Sequence, residues 1–154
     1  MPKQHPGPPR PGRPNAAASS WASGMFREPL KGEPCALPVH HTQPHPMTGF
    51  KTVVESFIGL HEVPEEQLSD DRGYCLPAHV VTPELAANVL TEVAAQRGLT
   101  LGAIEDAFDE RIQAMVDSWP TAVDGTRAVT LGLPEPPPLK EIVGQYLDTF
   151  EGSA

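Results

Sequence analysis

RPGRPNAAASSWASGMFREPLKG, residues 10–32, is the most particular stretch of this chain, and the rest is read outward from it. Two prolines and a glycine at residues 11–14 predict a tight loop, and Asn15 beside it can both donate and accept hydrogen bonds. The small residues that follow leave room for a ligand to approach the backbone closely. Pro29 and Gly32 in REPLKG predict a short helical turn and its stop. Read only locally, the same stretch also suits a proline-rich linker running into a surface helix.

The chain divides into two unlike pieces, and this segment lies in the first. Of the 19 prolines, 11 lie in the first 50 residues, against 6% aromatic residues overall. Residues 1–50 carry five Lys or Arg and two Asp or Glu, whereas residues 51–154 carry six and eighteen. With 154 residues there is room for one domain and a tail. Residues 1–9, rich in proline and with little to bury, are expected to be disordered. Residues 10–48 read as a loop and an irregular segment, and residues 49–151 as a helix-rich unit. A net charge of −9 without a basic stripe argues against nucleic-acid binding. No apolar run is long enough to predict a membrane span or a secretory leader. Two cysteines in a chain of this length suit free thiols and a reducing, cytoplasmic setting.

Downstream, hydrophobic periodicity is mainly helical. Phe50, Val53, Val54, Phe57, Ile58 and His61 predict an apolar helix face ending before Pro64. Residues 65–73 read as an acidic loop, and Tyr74 to Val81, broken by Pro77, as a short edge strand or two strand fragments. Thr82-Pro83-Glu84 predicts a capped helix start, with Gly98 as its stop. Ile104, Phe108, Ile112, Met115 and Trp119 predict a helix by their spacings of four and three. A short helix over 124–131 closes on Gly132, and Leu139 to Phe150 forms a final amphipathic stripe. The fold class expected is α+β and mainly helical, with little strand.

Several residues invite chemical readings. Cys35, His40, His41 and His45 are zinc-ligand types, but their spacing matches no closed site, and a proline-rich loop is the favoured reading, with no metal. The acidic pairs at 65–66, 70–71, 105–106 and 109–110 read as solvated charge before an acid/base pair. Ser19, Ser20 and Ser23 lack the frame of a hydrolytic nucleophile. Arg27, Arg72 and Arg127 carry planar forks suited to carboxylate or phosphate. Of these, Arg127 reads as a helix-surface ion-pair partner.

The stretch 10–32 resembles the middle of the extended short-chain dehydrogenases of the NAD-dependent epimerase/dehydratase superfamily, most closely their D-erythronate dehydrogenase group. VVTPELAANVL and MVDSWPTAVDGTRAVTLGLPEPPPLKEIVGQYLDTF are similar to later segments of that group, so the resemblance covers about residues 10 to 150. It implies a C-terminal substrate-binding lobe without its Rossmann domain. By the same resemblance Arg10, Gly12, Pro14 and Asn15 match a loop beside the nicotinamide of NAD. Ser20, Ser23 and Arg27 match a segment facing a sugar acid or nucleotide sugar, with Arg27 as carboxylate or phosphate partner. Asp124 and Gly132 match a block read as a helix cap and stop.

Two departures bear on activity. No Gly-x-Gly-x-x-Gly spacing occurs among the 13 glycines. The family's Tyr and Lys, four positions apart, are also missing: Tyr74 is followed at that offset by Ala78, and Tyr146 by Phe150. The expectation is therefore an oxidoreductase lobe of carbohydrate metabolism with no catalytic residue of its own and inactive alone. The other expectation is a non-catalytic binding or regulatory lobe that associates with a full-length relative or with itself.

Overall fold

A computed structural model describes residues 19–151. The expected tail and the loop residues Arg10, Gly12, Pro14 and Asn15 lie outside the described residues. About half of the described residues are helical, and they include two small two-stranded sheets.

REPLKG is not an isolated turn but the end of helix α1, Ser20–Leu30. Pro29 sits in its last turn, and Gly32, at φ 75°, provides the left-handed residue that lets the amides of Lys31, Gly32 and Glu33 close on Glu28 and Pro29 carbonyls. The helix is enclosed on several sides: Trp21, Ala22, Met25, Glu28 and Leu30 are all buried.

Residues 34–48 were expected to be irregular; they contain β1, Cys35–Leu37, and β2, His45–Met47. Helix α2 spans Phe50–Glu62, followed by a 3₁₀ turn at Glu65–Gln67. Strand β3, His79–Val81, pairs antiparallel with β2, which realises the edge strand expected near Pro77. Helix α3, Pro83–Arg97, begins where Thr82 Oγ1 accepts the Leu85 amide at 3.1 Å and stops at Gly98, φ 66°.

The spacing of apolar residues over 104–119 misleads. Ile104–Asp106 is strand β4, parallel to β1 with Cys35 opposite Ile104. The amides of Ala107 and Asp109 continue the pairing to the carbonyls of Leu37 and Pro38, each at 3.0 Å. Only then does the Asp109 carboxylate accept the amides of Arg111 and Ile112 and start α4, Glu110–Val116. Backbone pairing and a cap outweigh a fourfold spacing that Ile104 and Phe108 share by coincidence.

Helix α5, Thr126–Thr130, follows Asp124, whose carboxylate accepts the Thr126 amide at 2.9 Å, and Gly132 at φ 81° ends it, as the sequence predicts. Helix α6, Leu139–Tyr146, runs on into a π-helical turn at Leu147–Glu151.

Two apolar clusters share α1. One gathers Trp21, Met25, Leu37, Val39, Val81, Ala86 and Val116; the other gathers Leu30, Leu90, Val93, Val143 and Leu147. Phe26 and Ile104 pack against both. Helix α2 departs from the expected burial. Thr52 and Ser56 are buried, whereas Val54, Phe57 and Ile58 are 53%, 72% and 61% exposed. Gly49, Thr52, Ser56 and Gly59 form a small-residue face opposite the apolar one. A Cβ on Gly49 would stand 3.2 Å from Ile142, and one on Gly59 3.2 Å from Leu133. Small side chains let α2 lie close to its neighbours, so its apolar face points outward.

Gly102 is held by backbone contact on entry to β4. Its amide donates to Pro29 at 2.9 Å, and a Cβ there would stand 1.9 Å from the Glu33 carbonyl oxygen. Gly102→Ala is expected to cost about 2 kcal/mol or more in urea unfolding, because rigid backbone would have to move. An unchanged midpoint would contradict this packing of β4 on the end of α1.

Candidate functional site

The sequence places Ser20, Ser23 and Arg27 together as ligand-facing residues, and helical spacing decides which of them share a face. Ser23, Phe26, Arg27 and Leu30 recur at i, i+3, i+4 and i+7 of α1 and line a pocket of about 250 Å³. Leu139, Ile142, Val143 and Tyr146 repeat the same spacing on α6 and form the opposite wall. The junction Met47–Phe50 between β2 and α2 completes it. Ser20 is not part of the lining; its carbonyl accepts the Ser23 hydroxyl at 3.3 Å.

Arg27 does not offer its whole fork. Its Nη2 and Nε donate to Glu28 Oε1 at 2.6 and 3.2 Å, with the two side chains 18% and 10% exposed. A guanidinium has five N–H donors, so three remain for another acceptor. Glu28 is buried, and its carboxylate occupies space that Gly24 leaves open: a Cβ on Gly24 would lie 2.8 Å from Oε2. Oε2 itself has no partner among the described residues.

The other polar groups of the pocket differ in availability. Burial, then the charge of Glu151, pushes the Tyr146 hydroxyl up to about 12, so it stays protonated and donates to Glu151 Oε1 at 3.2 Å. Thr48 Oγ1 is buried without a hydrogen-bond partner among the described residues. Phe150 packs edge-on against Phe50 and tilted against Tyr146, at centroid distances of 5.1 and 5.3 Å, bracing both pocket walls.

The remaining candidates disperse. Cys35 is buried in the first apolar cluster, and burial followed by the Glu28 charge raises its thiol to about 11, far from a thiolate nucleophile. His41 Nε2 contacts Asp106 Oδ1 at 2.6 Å, His40 stacks on Phe108, and His45 lies between Trp21 and Trp119. Desolvation lowers the His45 pKa below its ordinary 6.5, which keeps its imidazole neutral. Among the described residues, no three His, Cys, Asp or Glu side chains converge as a metal site would require.

Arg72 pairs with Glu65 at 3.6 Å on the surface. Arg127 does more than the ion pairing expected of it. It donates to Asp71, Gly73, Ser69 and Tyr74, with its guanidinium 4.2 Å from the Tyr74 ring centre, and so fastens residues 69–74 to α5.

NAD would need a strand, a glycine-rich turn and a helix N-terminus. Three strands lead straight into helices: β2 reaches α2 through Thr48-Gly49, β3 reaches α3 through Thr82, and β4 reaches α4 through Ala107-Phe108-Asp109. Among the described residues none of these turns is glycine-rich.

No family model matches the chain. It is 34% identical over 139 residues to D-erythronate dehydrogenase of Haemophilus influenzae, covering 90% of this chain and 44% of that protein. It is 32% identical over 143 residues to D-erythronate dehydrogenase of Cupriavidus necator, covering 90% and 42%. Among solved structures, the nucleoside-diphosphate-sugar epimerase of Agrobacterium tumefaciens superposes with a TM-score of 0.82 at 28% identity, over 94% of this chain and 42% of that one. The resemblance read from the sequence is borne out, and the chain spans less than half the length of these relatives. That span fits the C-terminal portion of such enzymes.

The pairing of Arg27 with a buried carboxylate has a measurable consequence. Arg27→Gln is expected to cost about 3 kcal/mol in urea unfolding by leaving Glu28 charged and unpaired. Arg27→Gln with Glu28→Gln should recover most of that loss. A single variant as stable as the parent would show that the pair does not hold α1.

Proposed function

We propose that this chain is the substrate-binding part of an NAD-dependent oxidoreductase resembling D-erythronate dehydrogenase, acting on a small hydroxy acid in carbohydrate metabolism. The observation that carries the reading is the convergence of Ser23 and Arg27 on a pocket formed between α1 and α6. The likeness to two D-erythronate dehydrogenases over 90% of the chain supports it. In this reading Arg27 is the partner of the substrate carboxylate, with Ser23 one turn before it on α1 and Ser20 at the helix start. Arg10, Gly12, Pro14 and Asn15 border the nicotinamide when NAD is bound. Hydride transfer from the secondary alcohol to NAD belongs to the bound cofactor; this chain contributes position. The proton-transfer pair and the dinucleotide cradle are supplied from outside these 154 residues.

The outward apolar face of α2 favours a second reading, a non-catalytic lobe that associates with a full-length relative or a second copy. Among the described residues no helix is long and apolar enough to cross a membrane, and Cys35 and Cys75 are free, as suits the cytoplasm.

The purified chain, supplied with NAD and D-erythronate or related aldonates, is expected to form no NADH. Turnover would overturn the reading of a lobe without its own chemistry. A discrete, folded oligomer in analytical ultracentrifugation of the same preparation would favour the association reading over the first.

A further inference from the structure

Helix α2 gives one face to the fold and leaves the other open. Val54, Phe57, Ile58 and His61 recur at i, i+3, i+4 and i+7, and all four are exposed. Exposed Lys51, Glu55 and Glu62 rim this stripe, and an apolar patch with a polar rim commonly marks a protein interface. The charges are unevenly placed along the axis. Lys51 stands in the first turn and Glu62 in the last, with Glu65 and Glu66 just beyond. Lys51 and Glu62 are eleven positions apart, about 16 Å along a helix axis, so they cannot meet within one copy. Neither has an ion-pair partner among the described residues. The Lys51 charge reaches Asp148, but Arg97 already takes that carboxylate at 2.6 Å.

We infer that the outward face of α2 is a self-association surface, on which a second copy of this chain lays its own α2 antiparallel across a two-fold axis near Phe57 and Ile58. At 3.6 residues per turn, Lys51, Glu55 and Glu62 fall within about 40° of one another on a single flank of the stripe. A two-fold antiparallel pair sets that flank beside the same flank of the copy. Lys51 of each chain then meets the partner's Glu62, twice by symmetry, while Phe57 packs on the partner's Ile58 and Val54 on the partner's His61. A parallel pair would oppose lysine to lysine and glutamate to glutamate, and the helix dipoles also favour the antiparallel choice. The inference rests on the association reading of this chain and names its partner as a second copy. The α1–α6 pocket keeps its α6 wall, because α2 meets Ile142 and Leu133 with its other, small-residue face. One helix pair is small for an interface, so the dimer forms and separates with concentration.

Analytical ultracentrifugation of the purified 154-residue chain over a range of concentrations tests the inference. A monomer–dimer equilibrium in the micromolar range is expected, weakening as salt rises. Phe57→Asp changes a side chain that is 72% exposed, so it should leave the circular dichroism and urea midpoint unchanged and abolish the dimer. Lys51→Glu turns two attractions into two repulsions and should weaken the dimer about tenfold, as should Glu62→Lys. The two together exchange the charges and should return the dissociation constant to within about threefold of the parent. Failure of the double exchange to restore the dimer overturns the antiparallel pairing, and with it the inference. A dimer that survives Phe57→Asp overturns the inference while the association reading stands. A chain that stays monomeric throughout, or grows without limit into larger species, overturns it as well. A monomeric chain that binds the full-length Haemophilus influenzae relative would keep the association reading with a different partner.

Discussion

The fold depends on the enclosure of α1. One helix of eleven residues contributes to both apolar clusters and to the pocket, so most of its surface is withdrawn from solvent and Ser23 is its exposed residue. A helix enclosed in this way is ordinarily apolar all round, yet this one carries adjacent charges at Arg27 and Glu28. They are tolerated because Gly24 vacates the space one turn before Glu28 and because Arg27 closes on the carboxylate at 2.6 Å. The loop into β4 then locks on the helix end through Gly102, where even a methyl group would strike backbone. β1, β4 and α4 take their places from that contact. The same ion pair leaves part of the Arg27 fork facing the pocket, which links the packing of the fold to its candidate chemistry.

Much of the fold was legible where local chemistry and burial agree. Thr82-Pro83 and Gly98 bound α3 where capping rules put its ends, and Asp124 and Gly132 do the same around α5. Legibility fails where partners distant in sequence decide. Ile104 to Trp119 carries a helical spacing, but β1 claims its first three residues and Asp109 caps the remainder. The apolar stripe of α2 is real, and so is its small-residue stripe; periodicity alone cannot say which one meets Ile142 and Leu133. Arg27 and Ser23 were visible as candidates because they share a helix face. Thr48 was not, since an isolated threonine near a strand carries no motif; it enters the pocket lining only through the fold.

The apolar face of α2 lies outward, and among the described residues no turn from strand to helix is glycine-rich. Val54, Phe57 and Ile58 stay in water because the residues packed under α2 are glycines, Thr52 and Ser56. The described part of the chain holds a pocket lined by Arg27, and none of its strand-to-helix turns is glycine-rich. The relatives it matches are more than twice as long. On the proposed reading labour is divided: this chain holds the acid while cofactor and proton transfer come from elsewhere.

That division is tested most directly by titrating NAD into the purified chain under conditions where it is folded by circular dichroism. The account predicts no saturable heat of binding at any accessible cofactor concentration. One-to-one binding of NAD by the isolated chain would contradict it.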